Sequence, residues 1–298
     1  MATQTRFTSL LVSLLLFSSS AYNAMGMAIS SSGTGDLSRR VDIPNTKPRV
    51  LVFAKKREDW TIEQFDDYWL HSHAKTYTEY VSRFRNPTIY EQLHVNQEEK
   101  EKLKQAGIPV VDFDGIPAFD AESFEGFNET IEDPDYEKII APDEATFASR
   151  EGSLFAYTNV AAVIPHVEEK TQLPETEVRK YRARMVVVFE KKEGLTDEQF
   201  TNAWLNDHVA VLKKTPLGKK VIKYDQCHLA EPIKAFAGAG GDSIPKWSGI
   251  IAIDAPSFED FYDSESLKAL SEDAAKWTAP GSLKFMPIDV ARIFDRTV

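Results

Sequence analysis

Apolar positions along the chain follow two rhythms that alternate. Arg49–Lys55 and Arg184–Lys191 are β-branched and aromatic runs, which predict strands. Thr61 and Thr196 are each followed two residues later by Glu, and apolar residues then recur at helical spacing, so each opens a first helix. Thr88–Val95 and Lys220–Leu229 read as second strands, Phe113–Phe119 and Lys246–Asp254 as third strands. Each third strand runs into Asp-Ala-x-Ser-Phe, at 120–124 and 254–258, the start of a second helix. Ala156–Ile164 and Leu283–Phe294 supply fourth strands. The order β-α-β-β-α-β, met twice, is a ferredoxin-like unit and predicts an α+β fold.

The two passages repeat one another residue by residue. Phe53-Ala54-Lys55-Lys56 returns as Phe189-Glu190-Lys191-Lys192, and Thr61–Phe65 returns as Thr196–Phe200. Trp69, Leu70 and His73 return as Trp204, Leu205 and His208; Tyr90–His94 as Tyr224–His228; Gly115–Phe127 as Gly249–Phe261. The offset stays at 134–136 residues, the mark of a duplication, with its seam near Pro165–Glu177. Two helices over one face of a four-stranded sheet leave the other face bare, and an apolar sheet face cannot stay in water. Two such faces packed sheet to sheet would close an intrachain α/β-barrel around a central cavity, and closure within one chain is compatible with a monomer. The alternative is two independent domains that each dimerise elsewhere.

The expected organisation is a leader at 1–26, a flexible linker at 27–47, a first domain at 48–165, a second linker at 166–180 and a second domain at 181–298. In the leader Arg6 is the only charge, and an apolar run Leu10–Phe17 precedes small residues, the pattern of a secretory signal peptide. That run is too short to span a bilayer, and no other stretch approaches one. A mitochondrial presequence or a cytoplasmic chain is the alternative. Asn128-Glu129-Thr130 is a glycosylation sequon if the chain is secreted. Hydrophobic residues make up 42% and charged residues 27% of the 298, an ordinary globular balance. The net charge of -11 argues against nucleic acid as a partner. One cysteine, Cys227, excludes an internal disulfide and a thiolate cage. The segment Ala235–Gly241 lacks a Gly-Lys-Ser/Thr ending and reads as a cover loop, not a phosphate loop.

With few His available, the repeated polar residues are the candidates. Phe65, Trp69 and His73, and again Phe200, Trp204 and His208, stand four residues apart on one helical stripe, so each imidazole should be partly buried among aromatics that are expected to contact the substrate. A buried neutral imidazole can accept a proton near neutrality. Tyr90, Gln92 and His94, and in the second half Tyr224, Gln226 and His228, alternate along a strand and share one sheet face. If that face looks into the cavity, phenol, amide and imidazole reach one ligand; otherwise they bond water or a helix end. His71-x-His73 with His94 could suggest a metal, but no carboxylate is tightly spaced and Asn206 replaces His71, so no metal is expected.

At these residues the chain resembles the EthD family of the dimeric α/β-barrel superfamily. The resemblance rests on a strand ending in Lys-Lys, then Thr-x-Glu-Gln-Phe, then Trp-x-x-x-His, and a later Gly…Asp-x-x-Ser-Phe segment, in both halves over roughly 49–163 and 184–294. It implies cofactor-free chemistry on aromatic or polyketide-like small molecules: oxygenation of anthrone-type or phenolic rings, dehydration, decarboxylation or cyclisation. His73 and His208 would then handle protons. A non-catalytic carrier of hydrophobic small molecules is the other reading. A third, two inert domains, would fill the central space with side chains.

Overall fold

Eight antiparallel strands close one barrel. The computed structural model describes residues 43, 46–165, 179–230 and 247–297. The expected leader, nearly all of the 27–47 linker, residues 166–178 and the segment Ala235–Gly241 lie outside the described residues. The chain runs β1 (Lys47–Lys56), α1, β2 (Ile89–Val95), α2 (Gln97–Gln105), β3 (Gly115–Asp120), α3 (Phe124–Glu132), α4 and β4 (Ala148–Ile164). The second half runs β5 (Arg179–Phe189), α5, β6 (Lys223–Leu229), β7 (Gly249–Ala255), α6 (Ser264–Ala274) and β8 (Lys284–Asp295). Helix α1 is built of Ile62–Asp67, a π-helical turn Tyr68–His73 and Ala74–Val81, and α5 of Asp197–Asn202, a π-helical turn Ala203–His208 and Val209–Leu212. Helix α4 joins the π turn Tyr136–Ile140 to Ala141–Phe147.

Each half is the expected ferredoxin-like sheet, β4-β1-β3-β2 and β8-β5-β7-β6. The edge strands of one half pair with those of the other, β2 with β8 and β4 with β6. An exposed sheet edge invites aggregation, and closure removes all four. Helix α2 carries no readable apolar period, because Leu103 is its one buried apolar residue.

Side chains alternate between two cores. Leu51, Phe53, Val186, Val188, Met286 and Ile288 point into the barrel and pack together from both halves. Packed side chains thus take the place of the expected central cavity, the filling that the reading as two inert domains foresaw. Cys227 lies in this core, and burial pushes its thiol up to about 11, so it behaves as an apolar group.

One end of the interior is ionic. Arg49 holds Asp120 of its own half in a bidentate pair and reaches Asp225 of the other half at 2.7 Å. Arg184 repeats this, binding Asp254 at 2.6 and 3.0 Å and Glu91 across the seam at 2.8 Å. Arg292 adds a 2.7 Å bond to Glu91. The repeat thus exchanges acids between its halves in a buried place where an unpaired charge would cost several kcal/mol.

The other core lies between sheet and helices. Thr61 and Thr196 cap α1 and α5, and Gln64 and Gln199 return the bond to the cap N–H at 2.9 and 3.0 Å. The Thr-x-Glu-Gln motif is thus a capping box, with Gln rather than Glu as the reciprocal partner. A Cβ on Gly115 would lie 2.5 Å from the Trp69 ring, and one on Gly249 2.6 Å from Trp204, so glycine lets each indole approach its strand closely. Asn128 is buried on α3 and its carbonyl accepts the Tyr157 hydroxyl at 3.2 Å, so the folded chain does not present the sequon.

Candidate functional site

A cavity of ≈ 140 Å³ lies between helix and sheet in the second half. Met185 and Val187 of β5 and Ile251 and Ile253 of β7 form its floor, Leu212 of α5 and Leu270 of α6 its roof. The first half contributes Leu103 and Ile108, from α2 and the loop after it. Tyr262 also lines it, and its hydroxyl donates to Glu99 of α2 at 2.6 Å, which clasps the first half over the second.

Two candidates, His208 and Tyr224, meet at this cavity with Trp277 beside them. His208 is buried at the end of the π turn, and its Nδ1 lies 2.9 Å from Asp273 Oδ2. Burial pulls the Asp273 carboxyl up, but hydrogen bonds from His208, Lys276 and Trp277 outweigh this and hold it at about 2. In the neutral tautomer that donates Nδ1–H to that carboxylate, Nε2 carries the lone pair, and Nε2 has no partner among the described residues. The Tyr224 hydroxyl is buried, which raises its pKa to about 12 even though Gln226 and Trp204 lower it. It accepts a long bond from Gln226 Nε2 at 3.4 Å, and its own proton has no acceptor among the described residues. The buried Trp204 N–H forms no full hydrogen bond, although it lies close enough to lower the Tyr224 pKa.

The first half repeats the chemistry, with aromatic rings packed where the second half is open. His73 Nδ1 lies 2.6 Å from Asp143, whose carboxyl is raised by burial but brought below its usual value by bonds from His73 and Tyr68. Tyr90 accepts from Trp69 Nε1 at 3.0 Å and Gln92 Nε2 at 3.1 Å, and its pKa is raised by burial. Aromatic side chains fill the volume around it: Phe119 stacks on Tyr90 at 4.7 Å and Tyr77 meets it edge-on at 5.1 Å.

The Tyr-Gln-His ladders face the helices rather than the barrel interior, and along each only the tyrosine position reaches the place of the cavity. Gln92 and Gln226 donate to the Trp69 and Trp204 carbonyls, both at 2.8 Å, tying strand to π turn. His94 has both nitrogens engaged, Nδ1 with Asp66 at 2.8 Å and Nε2 with Gln92 at 3.1 Å, so no lone pair is left for a ligand. His228 is pushed down to about 4 by burial, packs on Trp204 at 4.2 Å and does not line the cavity. Phe65, Trp69, Phe200 and Trp204, expected to contact substrate, are instead buried packing around the π turns and do not line the cavity.

Asp143 and Asp273 escape a reading by register. Their offset is 130 (273 minus 143), not 134–136, because the first half is longer around 133–142. The pairing is visible only in three dimensions.

A family model described as the EthD domain matches the chain twice, at residues 57–151 and 192–281. No functionally curated protein matches it. Among solved structures, an anthrone oxidase-like protein superposes with a TM-score of 0.52 at 9% identity, over 85% of this chain and 95% of its own. A candidate monooxygenase from Fusobacterium nucleatum subsp. nucleatum gives 0.48 at 9% identity, over 83% and 94%. One from Lactobacillus acidophilus NCFM gives 0.47 at 9% identity, over 83% and 95%. At such identities the likeness concerns the fold.

Proposed function

Because the chain belongs to the EthD family, as a tandem pair of EthD domains closed into one dimeric α/β-barrel fold, we propose that it is an enzyme of oxidase or monooxygenase type acting on an aromatic or polyketide-like molecule. One observation carries this reading: His208–Asp273 and a Tyr224 O–H with no acceptor meet at one apolar cavity. His208 Nε2 removes an acidic C–H or phenolic proton, Asp273 holds the ring in the right tautomer, and Tyr224 donates to the developing oxyanion. Burial keeps the phenol protonated for that role. The carbanion or phenolate then reduces dioxygen without a cofactor: a methylene and O₂ give a carbonyl and water, and a phenol's O–H and para C–H with O₂ give a quinone and water, so atoms and electrons balance in both cases.

Size narrows the substrate. A cavity of about 150 Å³ accepts benzene, so one of ≈ 140 Å³ holds a single ring. The reading favours a one-ring phenol, or a larger anthrone-type molecule that inserts only its reacting ring. Carriage without chemistry is the second reading, favoured by the apolar character of the remaining lining.

Incubation with a panel of phenols and anthrones, followed by mass spectrometry, separates the outcomes. Exchange of two hydrogens for one oxygen marks oxidation; loss of water or carbon dioxide marks a lyase; saturable binding with no product marks a carrier. Turnover should fall ~10²–10⁴-fold in His208→Ala, the usual weight of a general base, and at least ~10-fold in Asp273→Asn. Full activity in His208→Ala overturns the assignment. Entry into the secretory pathway is proposed from the composition of 1–26; a secreted or organellar form must then begin after the leader, and N-terminal sequencing that finds Met1 retained rejects it.

A further inference from the structure

The first half keeps groups that the proposed chemistry does not use. His73 Nε2 has no partner among the described residues, Asp143 holds its Nδ1, and the Tyr90 hydroxyl proton has no acceptor there. Functional groups match between the halves; volume does not. By the register of the repeat, Tyr77 stands where the second half has Leu212 and Phe119 where it has Ile253. Both second-half residues line the cavity. The Phe119 ring lies on Tyr90 at 4.7 Å with an interplanar angle of 17°, as a bound ring would lie on Tyr224. Tyr77 closes the other side, 5.4 Å from Phe119 and 5.8 Å from His73. The chain's own aromatics thus fill, in the first half, the volume that Leu212 and Ile253 leave open in the second.

We propose that the first half carries a second site for a planar aromatic ring, kept closed by Tyr77 and Phe119, and that Leu212 and Ile253 are the specificity-determining residues that keep the second-half site open. This rests on the reading that the second-half cavity takes an aromatic ring. Cavities lined by apolar groups stay dry and accept a ring of matching size, so trimming two plugging rings above an intact His-Asp-Tyr set should create one.

Calorimetric titration of the full chain with phenol tests this. Wild type should bind one phenol per chain. Tyr77→Leu/Phe119→Ile should bind two, and the His73 ring signals should move on phenol addition in that variant but not in wild type. Leu212→Tyr/Ile253→Phe should bind at least tenfold more weakly than wild type. A folded Tyr77→Leu/Phe119→Ile protein with one phenol and unmoved His73 signals overturns the inference, as does wild-type affinity in Leu212→Tyr/Ile253→Phe. If the opened variant does not fold, Phe119→Leu alone with the same His73 readout decides, since it uncovers the Tyr90 face. Failure of the underlying reading shows earlier and separately, as a wild-type chain that binds no phenol, and it takes this inference with it.

Discussion

His228 shows how the fold sets the chemistry of one side chain. Its ring packs on Trp204, and burial pushes its pKa down from 6.5 to about 4. The unfolded chain therefore binds a proton that the folded chain refuses. The stability this ring contributes is complete above pH 6.5 and is lost as the pH falls through about 4, on the order of 3 kcal/mol. Urea midpoints measured from pH 7 to 4 should fall accordingly, and His228→Gln should flatten that part of the curve. A wild-type midpoint that does not move over this range would show the ring to be solvated. Asp273, held at about 2, contributes its own loss only at lower pH. His208 and Tyr224 were legible as candidates because both halves repeat them. Their neighbour Asp273 was not, since a hydrogen bond across 65 residues leaves no local pattern.

At the scale of elements, the repeated motifs turn out to be devices for seating one helix on one strand. The capping box starts the helix, the glycine admits the indole, and the glutamine ties the Trp carbonyl in the π turn. Thr196→Ala should lose about 1 kcal/mol. Gly249→Ala should lose ~1–3 kcal/mol, because its Cβ would sit 2.6 Å from Trp204 and 2.7 Å from Phe189. Thermal melts with tryptophan fluorescence measure both, and an unchanged melting temperature in Gly249→Ala would mean that the indole does not lie on the strand. Strands such as β1, β5 and β7 could be read from their apolar runs, and β2 and β6 from their place in the repeat, whereas α2 could not, since two of its three buried residues are Glu99 and Lys100.

For the molecule as a whole, the two halves share one interior and exchange charges across their seams. Arg184→Met removes the buried cation that holds both Asp254 oxygens and one Glu91 oxygen, leaving Glu91 with Arg292, and should destabilise by ~3–5 kcal/mol. Arg83→Met, at an exposed pair with Asp133 and Asp135, should cost no more than ~1 kcal/mol. A chain with a shared core unfolds in one step, so urea denaturation of Arg184→Met should shift a single transition. Two separated transitions would mean that the halves stand independently.

The sequence by itself determined the duplication, the strand order within each half and the need to bury two bare sheet faces, because apolar periodicity and a held register are local properties of the chain. The tertiary structure alone decided that the barrel interior is packed, that the open space lies under the second-half helices, and that Asp273 stands behind His208. Empty volume depends on the summed bulk of side chains brought together from distant segments. Leucine and isoleucine leave room where tyrosine and phenylalanine fill it, although the motifs on either side are the same.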